Sequence, residues 1–93
     1  MVDIAGVFGD NLARERKLAG FSQEELSVRS SLHRTEVSQL ERGLRVARID
    51  TLIKLAASLE CDASELLVGI KWQPGETRYG QFSEQPPSES PDA

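Results

Sequence analysis

The stretch from Phe21 to Gly43, FSQEELSVRSSLHRTEVSQLERG, restricts the fold more than any other part of the chain. Two segments with apolar residues at helical spacing flank a polar break, Ser30-Ser31, that is too short to be a loop of its own. The pattern predicts two short helices joined by a tight turn. Ser22 stands three residues before Glu25, so its hydroxyl can cap the Glu25 backbone N–H while the Glu25 carboxylate returns to the N–H of Ser22. Phe21 and Leu26 hold the two positions of a hydrophobic staple at the same start. In the second segment, residues 34–42, Val37 and Leu40 share one face and Gly43 is placed to stop the helix. The opposite face carries Arg34, Thr35, Ser38, Gln39 and Arg42, whose donors and acceptors suit the edges of bases.

A chain of 93 residues makes one small domain at most, and such a domain buries only about 60% of its unfolded surface. One cysteine, Cys61, and one histidine, His33, cannot build a disulfide framework or a recognisable zinc site. No cofactor is expected. Cys61 reads as a small buried apolar residue. No apolar run reaches the length of a membrane span, and the N-terminus lacks the basic and apolar regions of a signal peptide, so the expected location is cytoplasmic, on the nucleoid when bound. The net charge of −4 argues against a non-specific nucleic-acid coater. Its distribution matters more than its total. Residues 29–54 carry Arg29, Arg34, Arg42, Arg45, Arg48 and Lys54 against Glu36, Glu41 and Asp50, whereas residues 71–93 carry Lys71 and Arg78 against Glu76, Glu84, Glu89 and Asp92.

SQEELS, a turn and VSQLERG together resemble the Cro/repressor-like (xenobiotic-response-element type) family of helix-turn-helix proteins. The matching positions are Gln23, Leu26, Ser27, Leu32, Val37, Leu40, Glu41 and Gly43, then Thr51-Leu52 and Leu55-Ala56. The resemblance covers roughly residues 8 to 68 and implies an all-α, compact five-helix domain of the lambda-repressor type over residues 1–70, with a flexible C-terminal tail. Locally, LHRTEVSQLERG is most similar to the controllers of restriction-modification operons, except that Glu36 stands where those often carry an aromatic residue.

Residues 4–19 are expected to form the first helix, with Val7, Phe8, Leu12 and Ala19 on one side and Gly20 past its end. Gly6 and Gly9 weaken its opening turns by roughly 1 kcal/mol each. For Arg16 two readings are open, a solvated surface cation or, as the resemblance implies, the partner of Glu41 clamping the first helix to the third. Residues 23–29 form the second helix. Gln23 at its N-terminus is either an ordinary exposed residue or a phosphate contact, which the resemblance favours. Ser31 stands where family members often place glycine with φ > 0. His33 replaces the more usual Ser or Thr at the N-cap of the recognition helix, and is expected to cap poorly and to reach the duplex instead.

The base-contacting set is Arg34, Thr35, Ser38 and Gln39. Arginine can grip guanine O6 and N7 through two parallel hydrogen bonds, and glutamine can pair similarly with adenine. The backbone-contacting set is Gln23, His33, Arg42, Arg45 and Arg48, the last two on the loop 43–48. Ala47-Arg48 replaces the family's frequent Pro-Ser, and an arginine at a helix N-terminus opposes the dipole unless an anion compensates. Asp50 can take over part of the capping. The fourth helix, residues 49–59, is expected to turn Ile49, Leu52, Ala56 and Leu59 inward. Asp62 to Glu65 reads as a second capping box opening a short fifth helix. Leu66, Leu67, Ile70 and Trp72 are the expected interface of a homodimer, since family dimers place two recognition helices about 34 Å apart on a palindrome.

After Lys71 the composition turns to Pro, Gly, Ser, Gln and Glu. Residues 71–82 still hold Trp72, Tyr79 and Phe82, and read as an arm that packs on the domain or on a protein partner. Residues 83–93 lack any core-forming residue and are expected to be disordered. No catalytic constellation is present, so an enzyme is not expected. Two functions compete: a sequence-specific transcriptional regulator bound to double-stranded operator DNA, and a protein-interaction module such as an antitoxin. The arginines favour the first and the acidic tail the second.

Overall fold

The computed structural model describes residues 3–84. Five helices, α1 (Ile4–Ala19), α2 (Gln23–Ser30), α3 (Arg34–Glu41), α4 (Ile49–Leu59) and α5 (Ala63–Leu66), are followed by two strands, β1 (Ile70–Gln73) and β2 (Gln81–Glu84). Phe8 and Leu12 of α1, Leu26 of α2, Val37 and Leu40 of α3, Leu55, Ala56 and Leu59 of α4 and Leu66 of α5 form one buried core. Every helix contributes to it, α2 and α5 by a single leucine each, as the helices of a domain this small must share one interior.

The capping box at Ser22 is formed. Ser22 Oγ accepts from Glu25 N at 3.0 Å and Glu25 Oε1 accepts from Ser22 N at 2.8 Å. These bonds hold the Glu25 carboxyl below its ordinary pKa, the backbone donor being the larger cause. Phe21 packs against the core at the same helix start. α2 ends on Ser31 at φ 55°, ψ 40°, the left-handed conformation that a glycine would adopt without strain.

Gly9 does more than weaken α1. A Cβ there would strike the Leu40 carbonyl oxygen and stand 2.6 Å from the Glu41 carbonyl oxygen. The absent side chain is what lets α1 and α3 lie together.

Four expectations fail in the packing. Ile49 is not inward but 77% exposed, because the buried side of α4 is the one that carries Thr51, Leu55, Ala56, Ser58 and Leu59, and Ile49 lies outside it with Ile53. Ala19 is exposed too, the buried residues of α1 all lying from Phe8 to Leu12. Asp62 makes no side-chain cap to α5, whose Glu65 N–H is satisfied by the Asp62 carbonyl at 2.9 Å. The other end of α5 is held from α1: Asn11 Nδ2 donates to Leu66 O at 3.0 Å and Val68 O at 2.8 Å, and Arg14 Nη2 donates to Glu65 O. Fixed in this way, Leu66 is fully buried and cannot serve a dimer interface. Ile70 also packs against its own core, whereas Leu67 and Trp72 remain exposed.

The arm is a β-hairpin. β1 and β2 pair antiparallel with Trp72 opposite Phe82, and the two rings meet edge to face at 5.0 Å. Ser83 and Glu84, expected to be disordered, belong to β2. The rest of that expectation, residues 85–93, lies outside the described residues. The strands follow from alternation: Trp72 and Phe82 are each flanked by polar residues on both sides, a period-2 pattern.

Candidate nucleic-acid interface

α3 is short and sharply two-sided. Val37 and Leu40 are buried, while Arg34 and Thr35 in its first turn are exposed and Ser38 and Gln39 are half-buried. Its N-cap is His33, whose Nδ1 accepts from the backbone N–H of Thr35 at 3.1 Å. The histidine therefore caps better than expected. With Nδ1 used as an acceptor the ring proton sits on Nε2, on an exposed side chain.

The helix is anchored at its far end by Glu41. Arg16 Nε donates to Glu41 Oε2 at 2.6 Å, Arg16 Nη2 to Glu41 Oε1 at 3.0 Å and Gln23 Nε2 to Glu41 Oε1 at 3.1 Å. The Arg16 and Glu41 side chains are 13% and 7% exposed. The guanidinium gives a further bond to Phe21 O at 2.9 Å, and its hydrogen bond with Glu41 raises its pKa further still. Gln23, considered above as a phosphate contact, thus spends one donor inside the protein. One buried carboxylate ties the beginnings and ends of α1, α2 and α3 together.

Gly43, at φ 71°, closes α3. Its N–H donates to Leu40 O at 3.1 Å and the N–H of Leu44 donates to Gln39 O at 3.0 Å, a Schellman closure. The chain is thereby turned back, and Arg45 Nη1 donates to Gln39 Oε1 at 3.2 Å. That contact, between residues six apart across a helix end, has no sequence signal. Arg42, Arg45 and Arg48 are all exposed. Arg48 caps α4 without a side-chain bond, while Asp50 Oδ1 accepts from Thr51 N at 2.9 Å and lies 3.4 Å from Arg48 Nε. The aspartate takes over capping and compensates the misplaced cation. Arg29 is used otherwise: its Nε donates to Ser58 O at 3.0 Å and its guanidinium lies 4.7 Å from the centre of the Phe21 ring, so it joins α2 to α4.

Fold and surface together define the class: a domain that holds one short polar helix rigidly outward, flanked by arginines, with its apolar side sealed. The sequence profile described as Helix-turn-helix matches residues 12–66. The chain is 36% identical over 76 residues to Control protein C.SmaI of Serratia marcescens, covering 80% of this chain and 90% of that protein. Among solved structures it is similar to the restriction-modification controller protein C.AhdI of Aeromonas hydrophila, at 37% identity and a TM-score of 0.65 over 67% of this chain and 94% of that one. It is also similar to SinR, the master regulator for biofilm formation, solved in complex with DNA, at 30% identity and a TM-score of 0.62 over 64% of this chain and 97% of that one. The chain belongs to the helix-turn-helix family.

Proposed function

We propose that this helix-turn-helix transcriptional regulator reads a palindromic operator in the major groove as a homodimer, in the cytoplasm and without catalysis, in the manner of a restriction-modification controller. The observation that carries the reading is the two-sidedness of α3, where Arg34 and Thr35 stand free in the first turn while Val37 and Leu40 seal the core. In this motif the first turn enters the groove most deeply. Arg34, Thr35, Ser38 and Gln39 contact bases. The free Nε2–H of His33, the remaining donors of Gln23, and Arg42, Arg45 and Arg48 contact phosphates, and a phosphate contact by itself sets register and affinity.

For the homodimer the supporting surface is not the one the sequence suggested. Ile49 and Ile53 of α4 are 77% and 60% exposed, and Val46 and Leu67, also exposed, line an apolar groove of about 180 Å³ together with Leu52 of the same helix. On the same helix Asp50 and Lys54 are four residues apart, so two copies of α4 packed antiparallel about a two-fold axis set Asp50 against Lys54 and isoleucine against isoleucine.

Selection from a random pool of duplex DNA, with sequencing of the bound fragments, tests the reading. The expected result is an inverted repeat bound with a steep salt dependence, log K falling by about 0.9 per phosphate neutralised. Arg34→Ala is expected to cost roughly 1–3 kcal/mol and to relax preference at one base pair. A protein that binds no duplex at low ionic strength, or an Arg34→Ala variant with affinity and preference intact, refutes it.

A further inference from the structure

We propose that Arg45 is a specificity-determining residue, one that converts Gln39 from a reader of adenine into a reader of guanine. The proposal rests on the assignment of α3 as the base-reading helix and deepens it at one position.

The Schellman closure at Gly43 fixes where the chain goes after α3. Because Leu44 N is tied to the carbonyl of Gln39 itself, the next residue is delivered beside the Gln39 side chain. Arg45 Nη1 then donates to Gln39 Oε1 at 3.2 Å. A guanidinium has donors and no acceptors, so the carbonyl oxygen is the one atom of the Gln39 amide it can hold. The amide nitrogen, with both its hydrogens, is left on the side away from Arg45.

Pairing with adenine needs both halves of the amide, Nε2 donating to N7 and Oε1 accepting from the N6 amino group. Here Oε1 is already engaged. It keeps a second lone pair, but an adenine amino group using it would be a second donor on one oxygen, set next to a positive charge. What Gln39 and Arg45 present together is an array of donors: the two Nε2 hydrogens and the remaining guanidinium N–H groups. Guanine offers two adjacent acceptors in the major groove, N7 and O6, and no donor beside them on that base. The pair therefore favours guanine over adenine. Arg45 acts through Gln39 as a positioning residue, in addition to any phosphate it meets.

The test is selection of the full chain on a random duplex pool, run with the wild type, Arg45→Ala, Gln39→Ala and the double variant. Arg45 is exposed and Gln39 half-buried, and neither belongs to the core. The wild type is expected to choose guanine at one position of each half-site. Arg45→Ala frees Oε1 and moves the guanine-to-adenine ratio at that position toward adenine by on the order of tenfold. Gln39→Ala removes the preference there, and Arg45→Ala in that background lowers affinity without altering any preference. Arg45→Ala that weakens all sequences alike, with the base choice unchanged, overturns the proposal and leaves α3 as the reading helix. So does a wild type that selects adenine at the Gln39-dependent position. A wild type that binds no duplex overturns the base-reading assignment itself, and this proposal with it.

Discussion

Glu41 receives three hydrogen bonds from two helices other than its own, a role that residue spacing leaves open and that only the family resemblance implied, for Arg16. Removing the carboxylate leaves the Arg16 guanidinium largely buried with the Phe21 carbonyl as its remaining partner. Glu41→Ala is therefore expected to destabilise the domain by roughly 3 kcal/mol, the range for a buried pair broken on one side. Arg16→Met combined with Glu41→Leu removes both charges and is expected to cost much less. Urea unfolding of the three proteins decides: a loss well below about 1 kcal/mol for Glu41→Ala would make the pair no stronger than a surface bridge. His33 teaches a smaller lesson at the same scale. Replacement of Ser or Thr at an N-cap reads as a loss, yet imidazole Nδ1 accepts the same backbone proton a hydroxyl would accept.

Between elements, the contact that sets the pose of the reading helix is the approach of α1 to α3. Intrinsic propensity says that alanine at position 9 should strengthen α1 by about 1 kcal/mol. Packing says the reverse, because the new Cβ meets two carbonyl oxygens of α3 that are fixed in backbone and cannot rotate away. Gly9→Ala is expected to cost about 1–3 kcal/mol, as overpacking does, and to lower the melting temperature by roughly 5 °C or more. Calorimetry that finds a higher melting temperature would mean that α1 and α3 are further apart than described. The hairpin is a second case in which packing decides. A two-stranded ribbon is marginal by itself in water, and this one is braced by the Trp72–Phe82 pair and by Phe82 and Ile70 lining the groove beside Phe8 of α1.

For the molecule as a whole, the apolar residues left outside are as informative as those within. Ile49 and Ile53 add nothing to the monomer core, so Ile53→Asp is expected to leave the stability of a single chain nearly unchanged. In the proposed homodimer the same substitution places two carboxylates at the two-fold contact. Sedimentation at micromolar concentration is then expected to find monomer in place of dimer, with weaker operator binding. A variant that sediments like the wild type would remove α4 from the interface.

Local order along the chain was enough to establish the helices α1 to α4, the Ser22–Glu25 capping box and the inward side of α3. Each depends on neighbours within about one turn, and short-range spacing records such neighbours directly. The likeness of residues 8 to 68 to a known family carried the left-handed stop at Ser31 and the Arg16–Glu41 pair, which spacing by itself left open. Tertiary structure alone decided that Ile49 faces out and Leu55 in, that Leu66 is sealed by Asn11, that Gly9 is a contact rather than a weakness, and that Arg45 reaches Gln39. Those outcomes depend on which neighbouring element each residue meets, and a periodic pattern is blind to that because it records spacing along one helix and not the surface that packs against it.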